Sequence, residues 1–278
     1  MPHSIPHAIS IGLFALGCLA NQPERPLRED TAASPAPLAR THSHNDYERP
    51  RPLEDALSHG FCSVEADIHL VQGQLLVAHD LARTKPNLTL ENLYLKPLRE
   101  RTQQNGGRIY RHGPSVILLI DIKTEAEPTY AVLKPLLEQY AGILTRFSPG
   151  KVETNAVTVI ISGNRPRSLL TDEGNRLAAW DGRLEDLNTQ FAPEIIPLLS
   201  DNWTRLFSWK GPGEFPPKER AKLQELVRKT HEQRRQIRFW AAPDQPAAWK
   251  ELAQAGVDLI NTDDLTGLSA FLTAAPLP

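Results

Sequence analysis

Cysteine is nearly absent from this chain of 278 residues: Cys18 and Cys62 are the whole complement, and Cys18 falls in an N-terminal apolar segment that reads as removable. The rest of the chain then has no partner for an internal disulfide, so packing must hold the fold. An excess of charge of one sign is missing too. Lys and Arg number 31 against 33 Asp and Glu, a net charge of −2, so no global basic field exists to gather nucleic-acid phosphates, and nucleic acid is not an expected partner. The apolar stretch 8–20 is too short to cross a bilayer as a helix. No internal repeat is evident, which excludes a solenoid or propeller.

What is present begins with a leader. Met1–His7 is short and weakly cationic, and Ala8–Ala20 is apolar, interrupted by Ser10, Gly12 and Gly17. Residues 1–20 therefore read as a signal peptide. Two forms stay open: cleavage after Ala20, or cleavage before Cys18 with membrane attachment through its lipidation, because Ala15-Leu16-Gly17-Cys18 resembles a bacterial lipoprotein signal. Both predict an exported chain that is secreted, periplasmic or lipid-anchored at the cell surface. Residues 21–37 are rich in Pro, Ala and charge without apolar periodicity, which predicts a flexible linker. Residues 38–278 are expected to form one domain, since their number lies within the range that α/β barrels occupy as single domains; a monomer is expected as well.

From Leu38 onward, short apolar runs alternate with longer amphipathic stretches, the pattern of parallel strands joined by crossover helices. Eight strands are predicted, at Leu38–His42, Cys62–Leu70, Val116–Lys123, Val157–Ser162, Arg176–Trp180, Ile195–Ser200, Ile237–Ala242 and Asp258–Thr262. Continuous apolar runs such as Val116–Ile120 fit strands covered on both faces. Leu75–His79 reads as a short strand returning along the second one. Helices are predicted over Pro128–Leu144, kinked or restarted at Pro135, over Pro217–Gln236 and over Pro246–Ala255, with barely a helix at Leu184–Leu187. Together these give the α/β class and a single TIM-type (β/α)8 barrel.

Strand alternation writes the chemistry onto this frame. In Ser63-Val-Glu-Ala-Asp-Ile68, Glu65 and Asp67 point to one face, and in Leu119–Lys123 so do Asp121 and Lys123. Three carboxylates crowded near a barrel mouth would repel and take up protons unless something positive held them ionised, and one hard divalent cation, Mg2+ or Ca2+, is the simplest candidate. His42 ends the first strand and His79 follows Leu75–Ala78, so both can reach the same mouth as general acid and base. His69 shares the inward parity of Glu65 and Asp67. His59, His112 and His231 lie in helix or loop contexts.

These segments resemble the phospholipase-C-like phosphodiesterases, which include glycerophosphodiester phosphodiesterases and venom sphingomyelinase D enzymes. His42-Ser-His-Asn45 is similar to the family's first histidine segment, Glu65-Ala-Asp67 to its metal pair, and His79-Asp80 to its second histidine. Leu119–Lys123 resembles the segment that carries the third metal ligand and a phosphate-binding lysine. Phe239–Pro243 resembles a late strand bearing an aromatic substrate contact, and Gly256–Asp263 the closing strand. Among the family's branches, the one described as altered inheritance of mitochondria protein six-like is most similar, with Leu198–Trp209 included in the match. The usual His-Arg-Gly opening is replaced here, and Pro50-Arg51-Pro52 stands where a Glu-Asn-Thr segment would be.

The resemblance implies a metal-dependent phosphoric diester hydrolase acting on a glycerophosphodiester or phospholipid-type substrate. His42 and His79 would be catalytic, Glu65, Asp67 and Asp121 metal ligands, and Lys123, Asn45, Trp240 and Asn261 substrate-binding residues. Two rivals stand beside it. His42-Ser43-His44, with Asp263 after the last strand, also looks like the His-x-His of a binuclear-metal amidohydrolase barrel, although the middle strands supply no further histidine. The other is a non-catalytic surface lipoprotein that binds phospholipid head groups.

Overall fold

The computed structural model describes Met1 and residues 35–274; the signal segment, Cys18 and most of the linker lie outside the described residues. Eight parallel strands follow one another around a barrel: β1 (Thr41–Ser43), β2 (Ser63–Val71), β3 (Val116–Ile122), β4 (Val157–Gly163), β5 (Ala178–Gly182), β6 (Leu198–Asn202), β7 (Gln236–Trp240) and β8 (Ile260–Thr262). Hydrogen-bonded neighbours run β7-β6-β5-β4-β3-β2-β1-β8. The circle is completed between β7 and β8 by a single parallel bridge, Arg238 to Leu259, with the Ile237 carbonyl accepting from the amides of Asp258 and Leu259. The fold is thus a nearly closed (β/α) barrel, as its sequence pattern predicts.

Strand register explains the two-layered burial. Val116, Leu118, Ile120 and Ile122 belong to the main core, packed between strands and helices. Ile117 and Leu119, of opposite parity, join Ile160, Leu198 and Leu259 in a separate small apolar cluster that fills the barrel floor. The next inward position on β3 is Asp121. Strands such as β3, β4, β5 and β6 thus turn polar toward their C-terminal ends, and the parallel arrangement brings those ends to one mouth.

Several boundaries differ from expectation by one to three residues, chiefly at strand starts that lack a continuous ladder, such as Leu38, which makes a single bridge to Phe61 before β1 begins. The helix expected from Pro128 runs instead from Ala126 to Glu138, unbroken at Pro135. Burial of Tyr130, Leu133 and Leu137 along one face outweighs the hydrogen bond that proline removes. The return strand spans Gln74–Val77, antiparallel to β2, and its turn places both Gln72 (φ 48°) and Gly73 (φ 79°) in the left-handed region, as a tight hairpin needs. A second hairpin, Arg146–Ser148 with Lys151–Glu153, is not predicted by the sequence pattern, because its strands are only three residues long and most of their side chains are exposed.

Candidate active site

Glu65 and Asp67 sit on β2 and Asp121 on β3, with Asp67 and Asp121 directly opposite in the register. One carboxylate oxygen from each lies within 4.8 Å of the other two, and among the described residues this is the one group of three or more side chains able to share a metal ion. Lys123 reaches back over it, its Nζ 3.0 Å from Asp67 Oδ2 and 3.0 Å from Asp121 Oδ1. Burial, followed by the charge of Glu65, pushes the Asp67 carboxyl up to about 6. Burial likewise raises Asp121, against the pull of Lys123.

The donor set fits a hard cation. Asp67 Oδ1 is buried without any hydrogen-bond partner, a costly condition that a bound ion would relieve. Gly163, at φ +66°, leaves room beside the cluster: a Cβ there would lie 2.3 Å from Asp121 Oδ1. All three ligands are carboxylates, the chemistry of Mg2+ or Ca2+.

His42 is fully buried, whereas Lys123 is partly exposed. Arg238 Nη1 can only donate, and it lies 2.6 Å from His42 Nε2, so the ring proton belongs on Nδ1, which donates to Ser63 Oγ at 2.7 Å. Glu65 Oε2 is 3.3 Å from the same Nε2 and 3.4 Å from Arg238 Nη1. Burial, then the charge of Arg238, pulls the imidazole down to about 4. Glu65 is held below the usual carboxylate range: burial opposes its charge, but the Arg238 guanidinium beside it outweighs that cost.

In the metal-free protein the His42 ring is therefore expected to titrate near pH 4, not near its ordinary 6.5. Between those values the unfolded chain takes up a proton that the native state refuses, so this stabilising contribution is intact above pH 6.5 and is lost as pH falls toward 4. Asp67 acts with the opposite sign below about 6, so NMR of the ring, not the net stability curve, isolates the effect. A His42 ring that titrates at 6.5 or above would contradict this environment.

His79 follows the return strand at the rim and is half exposed. Its Nδ1 lies 3.2 Å from Asp67 Oδ2 and 3.2 Å from the Tyr47 hydroxyl, while that hydroxyl is 2.7 Å from both Asn45 Oδ1 and Asp67 Oδ2. His69 donates from Nε2 to the Ala78 and His79 carbonyls, which fastens the backbone carrying His79 to β2. Asn261 accepts from Arg238 at 3.2 Å. Trp240 ends β7, with the Arg183 guanidinium 4.9 Å from its ring centroid. The sequence-predicted residues thus gather at one mouth.

His44 does not enter the carboxylate group. Its Nδ1 meets Asp263 Oδ1 at 3.0 Å, and Arg49 donates to the Asp263 carbonyl. Burial lowers His44, but the Asp263 hydrogen bond outweighs it and leaves the ring raised. The His-x-His pair of a binuclear site has no counterpart among the described residues. His59 bonds Asp55 and Thr266, and His231 bonds Asp258, both away from the mouth.

Among the residues at the mouth that escape the sequence reading are Arg238, Tyr47, Ser63, Asp181 and Arg183. Arg238 is the most informative. It lies between the core residues Ile237 and Phe239, and a charge at the inward parity of an apolar strand was the available signal. Asp181, fully buried on β5, accepts from Ser162 Oγ at 2.7 Å and from Arg183 at 2.9 Å.

Comparison with known proteins agrees with this architecture. Residues 30–181 match the family described as AIM6-like phosphodiesterase domain, and residues 236–266 match the glycerophosphoryl diester phosphodiesterase family. Altered inheritance of mitochondria protein 6 of Eremothecium gossypii is 30% identical over 270 residues, covering 84% of this chain and 69% of that protein. Among solved structures, a glycerophosphodiester phosphodiesterase from Agrobacterium tumefaciens superposes with a TM-score of 0.52 at 15% identity, over 85% of this chain and all (100%) of that one. A Ca2+-dependent phosphatidylinositol-specific phospholipase C from Streptomyces antibioticus gives a TM-score of 0.57 at 13% identity, over 84% and 95% of the two chains. At those identities the two structures speak to the fold alone.

Proposed function

Because the chain belongs to the AIM6-like phosphodiesterase family, we propose that it is a metal-dependent phosphoric diester hydrolase acting on a glycerophosphodiester or phospholipid-type substrate. The observation that carries this reading is the group Glu65, Asp67 and Asp121 beneath Lys123, with a buried histidine on one side and a rim histidine on the other. A divalent cation held by the three carboxylates would supply positive charge to a non-bridging phosphate oxygen. Both Mg2+ and Ca2+ suit these ligands, and the Streptomyces phospholipase is Ca2+-dependent.

The chain's own groups do the rest. Lys123, which spans Asp67 and Asp121, offsets the charge of the incoming phosphate. His42 and His79 share the acid and base roles. The neutral His42 holds its Nε2 lone pair in a hydrogen bond from Arg238, which must yield for the ring to take a proton, and the half-exposed His79 can exchange its proton with solvent. Arg238 positions His42 by fixing its tautomer and keeps Glu65 ionised. Water or a substrate hydroxyl is the nucleophile, giving a hydrolysed or a cyclic phosphate. Asn45, Trp240 and Asn261 line the remainder of the pocket.

A panel of glycerophosphodiesters and phospholipids incubated with metal-stripped and metal-restored protein tests the reading. Turnover restored by Mg2+ or Ca2+ is the expected result. Tight head-group binding without turnover under any metal would replace the enzyme by a binding protein.

Export is proposed on the sequence of residues 1–20. Mass spectrometry of chain recovered outside the cytoplasm is expected to show loss of the leader, with a diacylated Cys18 if the lipoprotein form is used. An intact Met1 in that fraction would refute export by this route.

A further inference from the structure

Two strands away from the metal-binding carboxylates, the same mouth carries a group of guanidiniums that the reaction above does not use. Ser162 pairs with Asp121 across β3 and β4, and Ser162 Oγ donates to Asp181 on β5. Arg183 lies two residues beyond Asp181 at the same inward parity, just past the end of β5. Arg165 follows β4, and both arginines converge on Asp181. Arg165 donates from Nη1 to the Asp181 carbonyl, and Arg183 from Nη1 to Asp181 Oδ2 and to the Gly182 carbonyl. Neighbouring strands lie roughly 4.8 Å apart, which places this group about 10 Å from Asp121.

The pair is built to accept something more. Each guanidinium uses only Nη1 in these bonds, so the Nε and Nη2 donors of both have no protein acceptor among the described residues. The Arg183 guanidinium also lies over Trp240, 4.9 Å from the ring centroid, which restricts where its donors can reach. Arg167, bonded to Asp186 at 3.3 Å, stands close behind. Burial first, and then the charges of Arg183 and Arg167, depress the Arg165 guanidinium, so the three cations crowd one another. Three guanidiniums here face two carboxylates, Asp181 and Asp186, which leaves one positive charge in excess at a partly buried edge of the mouth.

We propose that Arg165 and Arg183, backed by Trp240, form a second anion subsite that takes a phosphate or carboxylate carried by the substrate about 10 Å from the scissile phosphorus. The inference rests on the phosphodiesterase reading and narrows its substrate class to diesters bearing a second anionic group. A planar, bidentate fork beside an aromatic wall suits such a group better than a neutral glycerol or choline-type head.

The test uses p-nitrophenyl alkyl phosphodiesters whose alkyl arm ends in phosphate, carboxylate or hydroxyl at matched length, with metal-restored full-length protein. At low ionic strength, kcat/KM for an anion-ended arm is expected to exceed that for the hydroxyl-ended arm by at least tenfold, mainly through KM, and the advantage should shrink as salt is added. A gain with phosphate alone identifies a phosphate site; an equal gain with carboxylate identifies a general anion site. Arg183→Gln should bring the ratio near one. Arg165→Gln, with a weaker tie to Asp181, does the same if the first variant folds poorly.

Equal turnover of all arms by the wild type, or a ratio unchanged in both variants, overturns the subsite. Calorimetric binding of the matching phosphinates, which carry the diester charge but cannot be cleaved, reads the subsite without catalysis. A preserved tenfold preference in binding with no turnover of any diester would sustain the subsite and sink the phosphodiesterase reading. The absence of both would sink the two together.

Discussion

Replacing any one of Glu65, Asp67 or Asp121 by its amide is expected to abolish divalent-metal binding and to cut phosphodiester turnover by more than ~10²-fold, a loss that even the outer partners of metal ligands can reach. The amide keeps the shape and removes the charge a hard cation requires. Asp67→Asn is the sharpest case, because Asp67 supplies the buried oxygen that has no partner, and its own ionisation is opposed by burial and by Glu65. Without metal, at pH 7, this variant should be no less stable than the wild type, since a crowded negative charge has gone. Added Mg2+ or Ca2+ should raise the wild-type unfolding temperature and leave that of the variant unmoved. His44→Ala is expected to be mild, its ring being held by Asp263 outside the carboxylate group. Elemental analysis decides: two zinc ions per chain, lost on His44→Ala and retained in Asp121→Asn, would return the protein to the amidohydrolase class.

The second large effect concerns proton transfer. His42→Ala and His79→Ala should each lower turnover by at least ~10²-fold, and the wild-type rate should follow a bell-shaped pH profile. The two variants should differ in stability. His79 is half exposed, so its removal is expected to leave the unfolding temperature nearly unchanged. His42 is fully buried between Ser63, Glu65 and Arg238, so its removal opens a cavity and leaves Ser63 Oγ short of a partner. His42→Gln separates the two roles, retaining most of the volume but not the titrating ring. His59→Ala and His112→Ala serve as controls. Near-normal turnover by His79→Ala on a confirmed substrate would remove that residue from the mechanism.

How much of this was legible in the sequence follows from which physical signals are local. The strands were visible because a parallel strand buried on both faces is a run of apolar residues, and Val116–Ile120 could hardly be anything else. Parity alone placed Glu65, Asp67, Asp121 and Lys123 on one face, since alternation needs no knowledge of the fold. Arg238 was not recovered, because its meaning depends on contact with His42 and Glu65, residues 196 and 173 positions away. Asp181 and Arg183 were missed for the same reason: their partners Ser162 and Trp240 belong to other strands. The Arg146–Glu153 hairpin is too short and too exposed to leave a periodic trace. Lys123 reads two ways, and the geometry contains both, an ion pair with Asp121 and a cation poised over the carboxylate group.

The seam between β7 and β8 gives the barrel a direction of weakness. The ladder between β3 and β4 runs through seven paired positions, whereas β7 meets β8 through one bridge. Amide protons should therefore exchange with solvent last along β3–β4 and first along the seam. Arg238 belongs to that single bridge and also holds His42. A brief parting of the seam would thus withdraw the guanidinium from the imidazole, coupling the breathing of the wall to the basicity of the group it shelters.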